Sequence, residues 1–417
     1  MKSEYNYKCS LCGHEYDTQE IIYTCPRDSG NLDVILDYSN IREALSPDQI
    51  KKSREPSIWR YLALLPIGEP IGAGTPLHSV GWTPVYSPDS LSEKLDLRDL
   101  FIKDESPNPT ASFKDRASAV VVAKAIEIGK EVVVTASTGN AGAALAGMAA
   151  AVSQKAVIMA PKNAPPAKIA QLLIYNAQVI LVDGRYDDAF DLSIQASQEF
   201  GWYCRNTGFN PFTAEGKKTA AFEIWEWFEN HKNTSVKNME ELAVFVSVGD
   251  GNIISGIHKG FKDLLALDWI ETPPRIFGVQ AAGSAAIANA FNQKSEQIQP
   301  VSADTIADSI SVDMPRDGVR AVRAASQTNG SYITVEDNEI IRAIKDLGEA
   351  GIFAEPAGAA SFAGLKIALK SGLVDRSTPV LVINTGSGLK DINAARKAVP
   401  QPLIIQPTLE DLKKAVN

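Results

Sequence analysis

Beyond residue 100 the apolar positions come as short β-branched runs, at 131–135, 156–159, 178–182, 243–248, 276–279 and 379–383, separated by Ala-rich stretches of helical character. Runs of this length are expected as buried strands, and strands alternating with helices form parallel sheets covered by helices on both faces. Most of the runs end in Gly, Ser, Thr, Asp or Asn, and open α/β sheets bind ligands at the carboxyl ends of their strands. Residues 1–36 follow another rhythm. There, strand-like runs at 20–23 and 32–36 flank turns that carry cysteines, which predicts a small ribbon appended to a larger body. A polar, Pro-containing stretch at 38–56 follows, and residues 58–65, with Trp59 and Tyr61, are expected to pack against that body as an arm.

Composition narrows the function classes. The chain has 417 residues, 45% hydrophobic and 22% charged, enough for two or three domains with a substantial core, and it is neither disordered nor a disulfide mini-protein. With 41 Lys plus Arg against 50 Asp plus Glu, the formal charge of -9 argues against a nucleic-acid or anionic-membrane partner. The first ten residues lack the apolar core of a signal peptide, and residues 141–152 are too few to span a bilayer, so a cytoplasmic protein is expected. Of four cysteines, Cys9, Cys12 and Cys25 crowd the N-terminus, which is metal-site arithmetic. A full zinc ribbon would place a fourth cysteine at 28, where this chain has Asp28; Asp28 or His14 would complete a tetrahedral zinc set, and a ribbon that packs without metal is the alternative. The ribbon carries Lys2, Lys8 and Arg27 against Glu4, Glu15, Asp17, Glu20, Asp28 and Asp33, which is not a nucleic-acid face.

Four strand-to-turn junctions carry the candidate chemistry. In the first, two prolines hold an irregular loop before Ser-Phe-Lys-Asp-Arg at 112–116, so that Lys114 falls in the first turn of a helix running to about Gly129. The positive end of a helix dipole disfavours the protonated amine and makes Lys114 a candidate nucleophile. In the second, Thr135-Ala-Ser-Thr-Gly-Asn-Ala-Gly142 offers backbone N–H groups with Ser137, Thr138 and Asn140 as a seat for a carboxylate or phenolic oxygen. The third, Gly249-Asp-Gly-Asn252, is a candidate phosphate cradle, and the fourth is Asn384-Thr-Gly-Ser-Gly-Leu-Lys-Asp391. Glu215-Gly-Lys-Lys-Thr219 is not a Walker A loop, for want of the upstream glycine, and no HExxH pair or serine elbow is present.

Ser-Phe-Lys-Asp-Arg at 112–116, preceded by Lys-Asp-Glu and Asn-Pro-Thr, resembles the lysine motif of threonine synthases, members of the tryptophan-synthase β-like (fold type II) pyridoxal-phosphate enzymes. The order of motifs agrees with the resemblance over roughly residues 70–395. Gly72-Ala-Gly-Thr-Pro-Leu77 resembles the family's entrance loop, Ser137 to Asn140 its asparagine loop, Gly249 to Asn252 its phosphate loop, Glu355-Pro-Ala-Gly-Ala359 a further segment, and Thr385 to Asp391 its terminal TGxGLKD motif. The resemblance implies two open twisted-sheet α/β domains with a zinc-ribbon-like extension at 1–36. The divisions expected are 37–105 as arm and first part of the large domain, 106–205 as small domain, and 206–417 as the rest of the large domain. It implies pyridoxal phosphate held as a Schiff base by Lys114, with Asn140 at its 3′ oxygen, Gly249, Asp250, Gly251 and Asn252 at its phosphate, and Thr385 at its pyridine nitrogen. Ser137, Thr138, Gly139, Ala141 and Arg185 are then expected around the substrate, a small amino acid, and a homodimer is implied.

Three departures concern the substrate. Ala141 stands where the compared enzymes often have Thr, Arg185 and Asp191 occupy places that commonly supply Asn and Arg to a substrate phosphate, and Asp250 puts a carboxylate in the phosphate loop. Arg185, Lys168, Lys217 and Lys218 are candidate replacements. The reaction expected is that of a threonine synthase, O-phosphohomoserine plus water to threonine plus phosphate. The alternatives are a threonine or serine ammonia-lyase, a cysteate synthase-like β-replacement, and a non-catalytic regulatory homologue.

Overall fold

The structure, a computed structural model, describes residues 4–18, 23–231 and 238–416. At the N-terminus β1 (Tyr5–Cys9) pairs antiparallel with β2 (Glu15–Tyr16) on one side and β3 (Leu32–Leu36) on the other. Tyr7, Cys9, Leu32, Val34 and Leu36 are buried while Asn6 and Lys8 face water, the period of two that a half-buried ribbon requires. The run expected at 32–36 is β3. Of the run expected at 20–23, residues 20–22 lie outside the described residues, and Tyr23 is no strand residue; its hydroxyl accepts the Cys204 N–H at 2.9 Å. The strand that pairs with β3 is instead β1, whose Tyr-Asn-Tyr-Lys-Cys alternation is not an apolar run.

The remaining strands are β4 (Val85–Tyr86), β5 (Leu100–Asp104), β6 (Val132–Ala136), β7 (Lys155–Pro161), β8 (Gln178–Val182), β9 (Tyr203–Cys204), β10 (Ala243–Ser247), β11 (Arg275–Ala281), β12 (Ser331–Val335) and β13 (Val380–Asn384). They form two sheets. One has the order β8-β7-β6-β9 and is parallel throughout; the other has the order β12-β11-β10-β13-β5-β4 and is parallel except for β4. All six apolar runs lie in these sheets within about two residues of the expected bounds. The chain starts the six-stranded sheet with β4 and β5, leaves it to build the four-stranded one, and returns with β10 to β13, so β13 lies between β10 and β5. The resulting fold is mixed α/β with two open twisted sheets. Among the described residues no helix is long and apolar enough to cross a membrane.

The helix Phe212–His231, buried on nearly every face and rich in charge, packs against the helices Lys114–Glu127 and Asn252–Ala266. Glycines let its neighbours touch it backbone to backbone: a Cβ at Gly216 would lie 2.1 Å from the Arg116 carbonyl oxygen, and one at Gly260 would lie 2.5 Å from that of Lys218. The residues expected as an arm form a 3-10 helix, Ile58–Leu64, and pack on it, with Arg60 reaching Glu226 at 2.5 Å and the Tyr61 hydroxyl donating to the same carboxylate at 2.9 Å.

Its charges are balanced locally. Arg116, wholly buried, donates to Glu105 at 2.7 Å and to Glu223 at 2.5 Å, and Lys103 donates to Glu223 at 2.7 Å. Burial alone would push Glu223 up, but Arg116 and Lys103 outweigh it and hold the carboxyl at about 2. Two cations and two anions thus neutralise one another in the buried interior, a set whose members are costly to remove singly. Arg116→Ala is expected to destabilise the protein by about 3–5 kcal/mol, since it leaves two carboxylates with one ammonium between them. Equilibrium urea unfolding followed by circular dichroism reads the loss, and a change below about 1 kcal/mol would show that water reaches the cluster.

Candidate active site

The helix Lys114–Glu127 begins at the lysine, and the loop before it is fixed from both sides. Asp115 accepts the Thr110 N–H at 2.6 Å and the Thr110 hydroxyl, while Arg116 is anchored in the charge cluster. Burial pushes the Asp115 carboxyl up to about 6 against those two hydrogen bonds. Ala111, at φ 64°, adopts a left-handed conformation that a side chain disfavours, and its carbonyl accepts the Ser387 N–H at 3.1 Å. The Phe113 N–H donates to the Thr385 carbonyl at 2.9 Å. With both neighbours committed, Lys114 faces a cavity, and its Nζ makes no hydrogen bond among the described residues. Burial, and the Arg205 guanidinium with it, pushes the Lys114 amine below the usual lysine range against the pull of Asp250 and Glu355.

Facing Lys114 are two strand-end loops. Gly249, Asp250 and Gly251 follow β10 and lead into the helix Asn252–Ala266, with Gly251 at φ 90°. A Cβ at Gly249 would lie 2.8 Å from Ile310 Cα and one at Gly251 2.6 Å from the Asp317 carbonyl oxygen, so this close backbone approach needs glycine at both places. Asn252 is held by Lys217 Nζ at 2.5 Å and itself donates to Asp317 at 2.7 Å. Asp250 is not turned loose on a ligand: its Oδ1 accepts the Arg316 N–H at 3.3 Å, and Lys114 and Lys217 draw its carboxyl down against a larger effect of burial, which leaves it raised. Asn140 opens the helix Asn140–Ala151, and its amide donates to Glu355 at 2.7 Å and to Ser309 at 3.3 Å, which links the two sheets across the cavity.

The structure brings together most of the residues expected from the sequence. Lys114, Asn140, Gly249, Asp250, Gly251, Asn252 and Thr385 line one cleft. Ser137, Thr138, Gly139, Asn140, Ala141 and Arg185 line a connected cavity of about 420 Å³ that shares Lys114 and Asp250 with it. Asp191 lies outside both, exposed on the helix Tyr186–Glu199. Lys218 is committed to Asp263 at 2.7 Å and to Glu215, Lys217 to Asn252, and Lys168 to Asp308 at 2.5 Å. The loop 72–77, expected at an entrance, borders neither cavity; the segment after it, with the Gly81, Trp82 and Thr83 N–H groups bonded to Asn108 and Glu223, is built into the charge cluster.

Sequence reasoning missed Arg205. It follows β9, is wholly buried, and lines the larger cavity. Its Nε donates to Ser118 at 3.1 Å and its Nη1 to Thr207 at 2.9 Å, while Nη2 has no partner among the described residues. Burial pushes the guanidinium down to about 10. Arg316 was missed as well; it borders the same cavity and pairs with Asp187 at 2.5 Å. The one sequence signal for Arg205 is an arginine directly after an apolar strand end, which distinguishes it from no surface arginine.

Three comparisons extend the geometry. A sequence profile described as "Pyridoxal-phosphate dependent enzyme" matches residues 77–386. The threonine synthase of Methanocaldococcus jannaschii is 39% identical over 413 residues, covering 98% of this chain and 99% of its own, and that of Methanosarcina acetivorans is 35% identical over 416 residues, covering 99% and 98%. In fold the chain is similar to threonine deaminase isoform 2 of Solanum lycopersicum, with a TM-score of 0.65 at 22% identity over 82% of this chain and 92% of that one. Diaminopropionate ammonia lyase from Escherichia coli gives 0.65 at 20% identity over 85% and 92%.

A lowered pKa leaves more of an amine unprotonated at a given pH, so Lys114 is expected to react with a small aldehyde at about pH 7 ahead of the exposed lysines once the site is free of ligand. Borohydride trapping followed by peptide mapping across a pH series reads this. A labelling midpoint for Lys114 at or above the ordinary lysine value of about 10.4 would remove burial as a source of its reactivity.

Proposed function

The chain belongs to the pyridoxal-phosphate-dependent enzymes and, within them, to the threonine synthases, and on that premise we propose that it converts O-phosphohomoserine and water into threonine and phosphate. The observation that carries the reading is the 39% identity that runs through 98% of the chain. Arg205 supports it: its buried guanidinium belongs to the lining of the larger cavity, and its Nη2 has no partner among the described residues, a donor that an anion would satisfy.

The residues fit the cofactor. An amine kept below its usual pKa, a loop that only glycine allows at 249 and 251, and an amide and a hydroxyl at Asn140 and Thr385 on one cleft match its aldehyde, phosphate, 3′ oxygen and ring nitrogen. Bound there, pyridoxal phosphate supplies an electron sink for negative charge that develops beside the substrate nitrogen. Lys114 would hold the cofactor's aldehyde carbon, and the same amine, kept below its usual pKa, would take the proton from the substrate's α-carbon through Nζ. Asn140 would hold the cofactor's 3′ oxygen, and the backbone N–H groups from Gly249 to Asn252 would seat its phosphate at a helix N-terminus, with Asp250 held aside by the Arg316 N–H. Thr385 offers a neutral hydroxyl, which does not sustain a full positive charge at the ring nitrogen as a carboxylate would. Ser137, Thr138, Gly139 and Ala141 hold the substrate carboxylate through their loop, and Arg205, with Arg185 at the exposed rim, holds the departing phosphate.

Residues 106–205 form the smaller domain in this reading, and their closure over the cavity excludes water from the early steps. The protein works in the cytoplasm as a homodimer. Support for association comes from the C-terminal helix Leu409–Val416, which buries none of its own residues and leaves Leu409, Leu412 and Val416 exposed. Light scattering at the mass of one chain would reject the dimer.

The test is phosphate release from O-phosphohomoserine with the amino-acid product identified. Phosphate with threonine is the expected result; ammonia from threonine or serine with no phosphate would replace the reading by an ammonia-lyase, and sulfite-dependent product by a β-replacement. Lys114→Ala is expected to abolish turnover. Arg205→Met is expected to lower kcat/KM by about 10- to 100-fold through the loss of one charge-assisted hydrogen bond while the cofactor stays bound; an unchanged kcat/KM would move the phosphate elsewhere.

A further inference from the structure

The N-terminal ribbon gathers four donor atoms that the site above does not use. Cys9 Sγ lies 3.3 and 3.5 Å from the two carboxylate oxygens of Asp28, and Cys12 Sγ lies 3.8 Å from Cys25 Sγ. One ligand atom from each of Cys9, Cys12, Cys25 and Asp28 falls within 4.8 Å of all the others. A tetrahedral zinc ion with Zn–S near 2.3 Å and Zn–O near 2.0 Å separates two sulfurs by about 3.8 Å and a sulfur from an oxygen by about 3.5 Å. The Cys12–Cys25 and Cys9–Asp28 separations match those edges, whereas a disulfide would bring two sulfurs to about 2.05 Å. His14, the other candidate ligand, is not part of the cluster and packs edge-on against Tyr16.

The surroundings are arranged for the same purpose. The Leu11 N–H donates to Cys9 Sγ at 3.3 Å, the Tyr16 hydroxyl lies 3.1 Å from Cys25 Sγ, and the Gly30 N–H donates to Asp28 Oδ1 at 2.8 Å. A Cβ at Gly30 would lie 2.8 Å from Cys9 Sγ and 2.9 Å from Asp28 Oδ1, so the chain passes under the cluster with no room for a side chain. Contacts to the ligand atoms of this kind orient a metal's ligands.

From the cluster a continuous relay reaches the phosphate loop. Cys9 is paired with Leu32 at the start of β3. The Leu32 carbonyl and the Asp33 carboxylate accept Arg320 Nη1 at 3.2 and 2.9 Å, and Arg320 grips Asp317 through Nε at 2.6 Å and Nη2 at 2.7 Å. Asp317 in turn accepts Asn252 Nδ2 at 2.7 Å. We propose that Cys9, Cys12, Cys25 and Asp28 bind one tetrahedral zinc-class cation, and that this ion braces the cofactor's phosphate loop through β3, Arg320, Asp317 and Asn252. Three thiolates and one carboxylate select a borderline-soft divalent ion over magnesium or calcium. The bracing half rests on the assignment of Gly249 to Asn252 to the cofactor phosphate; the metal half does not.

Metal content of the holoenzyme purified without chelator is the first measurement, with one zinc per chain expected. Replacement by cobalt(II) is expected to give the intense visible and near-ultraviolet bands of a thiolate-bound tetrahedral ion. Asp28→Cys is expected to keep both signals and Cys12→Ser to lose them. Less than about one ion in five chains together with no cobalt spectrum, or a Cys12–Cys25 disulfide by mass spectrometry, overturns the site. For the brace, cofactor retention through dialysis is read by absorbance. Metal-free Cys12→Ser protein and zinc-loaded Asp33→Asn protein are both expected to bind the cofactor about threefold or more weakly than the parent. Unchanged retention in both overturns the brace and leaves the metal site and the reaction standing.

Discussion

Arg116 sets the geometry of everything around it. Its guanidinium satisfies Glu105 on the loop after β5 and Glu223 on the central helix, and Lys103 at the end of β5 closes the set. These contacts join three separate segments, so the position of the helix that starts at Lys114 is fixed by charge pairing in the buried interior. A hydrophobic contact there would tolerate sliding, because it is not directional. Bidentate pairing of a planar guanidinium does not tolerate it. Lys114, two residues before Arg116, therefore meets the cleft at a set height and angle, while Asp115 ties down the turn that precedes it.

Around that fixed point the protein assembles parts from both sheets at the ends of their strands. The glycine loop after β10 approaches because Gly249 and Gly251 carry no side chain, and Asn140 crosses to Glu355 from the far side. The Asn140–Glu355 link is polar, buried and made between separately built sheets. It is a joint that a competing ligand oxygen can replace one hydrogen bond at a time, unlike an apolar contact that must be opened as a whole.

Much of this was legible in the sequence, and the limits have physical reasons. Strands such as β6 and β10 announce themselves because burial on both faces demands unbroken apolar runs. The lysine, asparagine, glycine and threonine segments were legible because each chemistry is carried by a contiguous stretch with a fixed local form. β1 was not, since a ribbon that covers one face needs only alternate apolar positions, and its tyrosines hide that alternation. Arg205 was not legible either. Nothing next to it in the chain says that Ser118 and Thr207 take two of its nitrogens and leave the third without a partner among the described residues. The candidate cations chosen from the sequence were lysines and an arginine near the right motifs, but Lys218 proved to be committed to Asp263. Commitment is a property of the folded partners and cannot be read from one segment.

The charge balance of the cleft closes the argument. Burial is the first cause that depresses Lys114, Lys217 and Arg205 alike; Arg205 depresses both lysines further and Lys114 depresses Lys217, while Asp250 pulls the other way on all three. This is the reverse of the Arg116 cluster, where charges of opposite sign cancel in pairs. Burial disfavours the charged form of each of these groups, and an anion bound beside them would favour it. A phosphate on the glycine loop would therefore draw the lysines back toward their charged forms. The same cations explain why Asp250 is tolerated in a phosphate loop. Its carboxylate meets the lysines and the Arg316 N–H, so it lowers the cost of holding the lysines together.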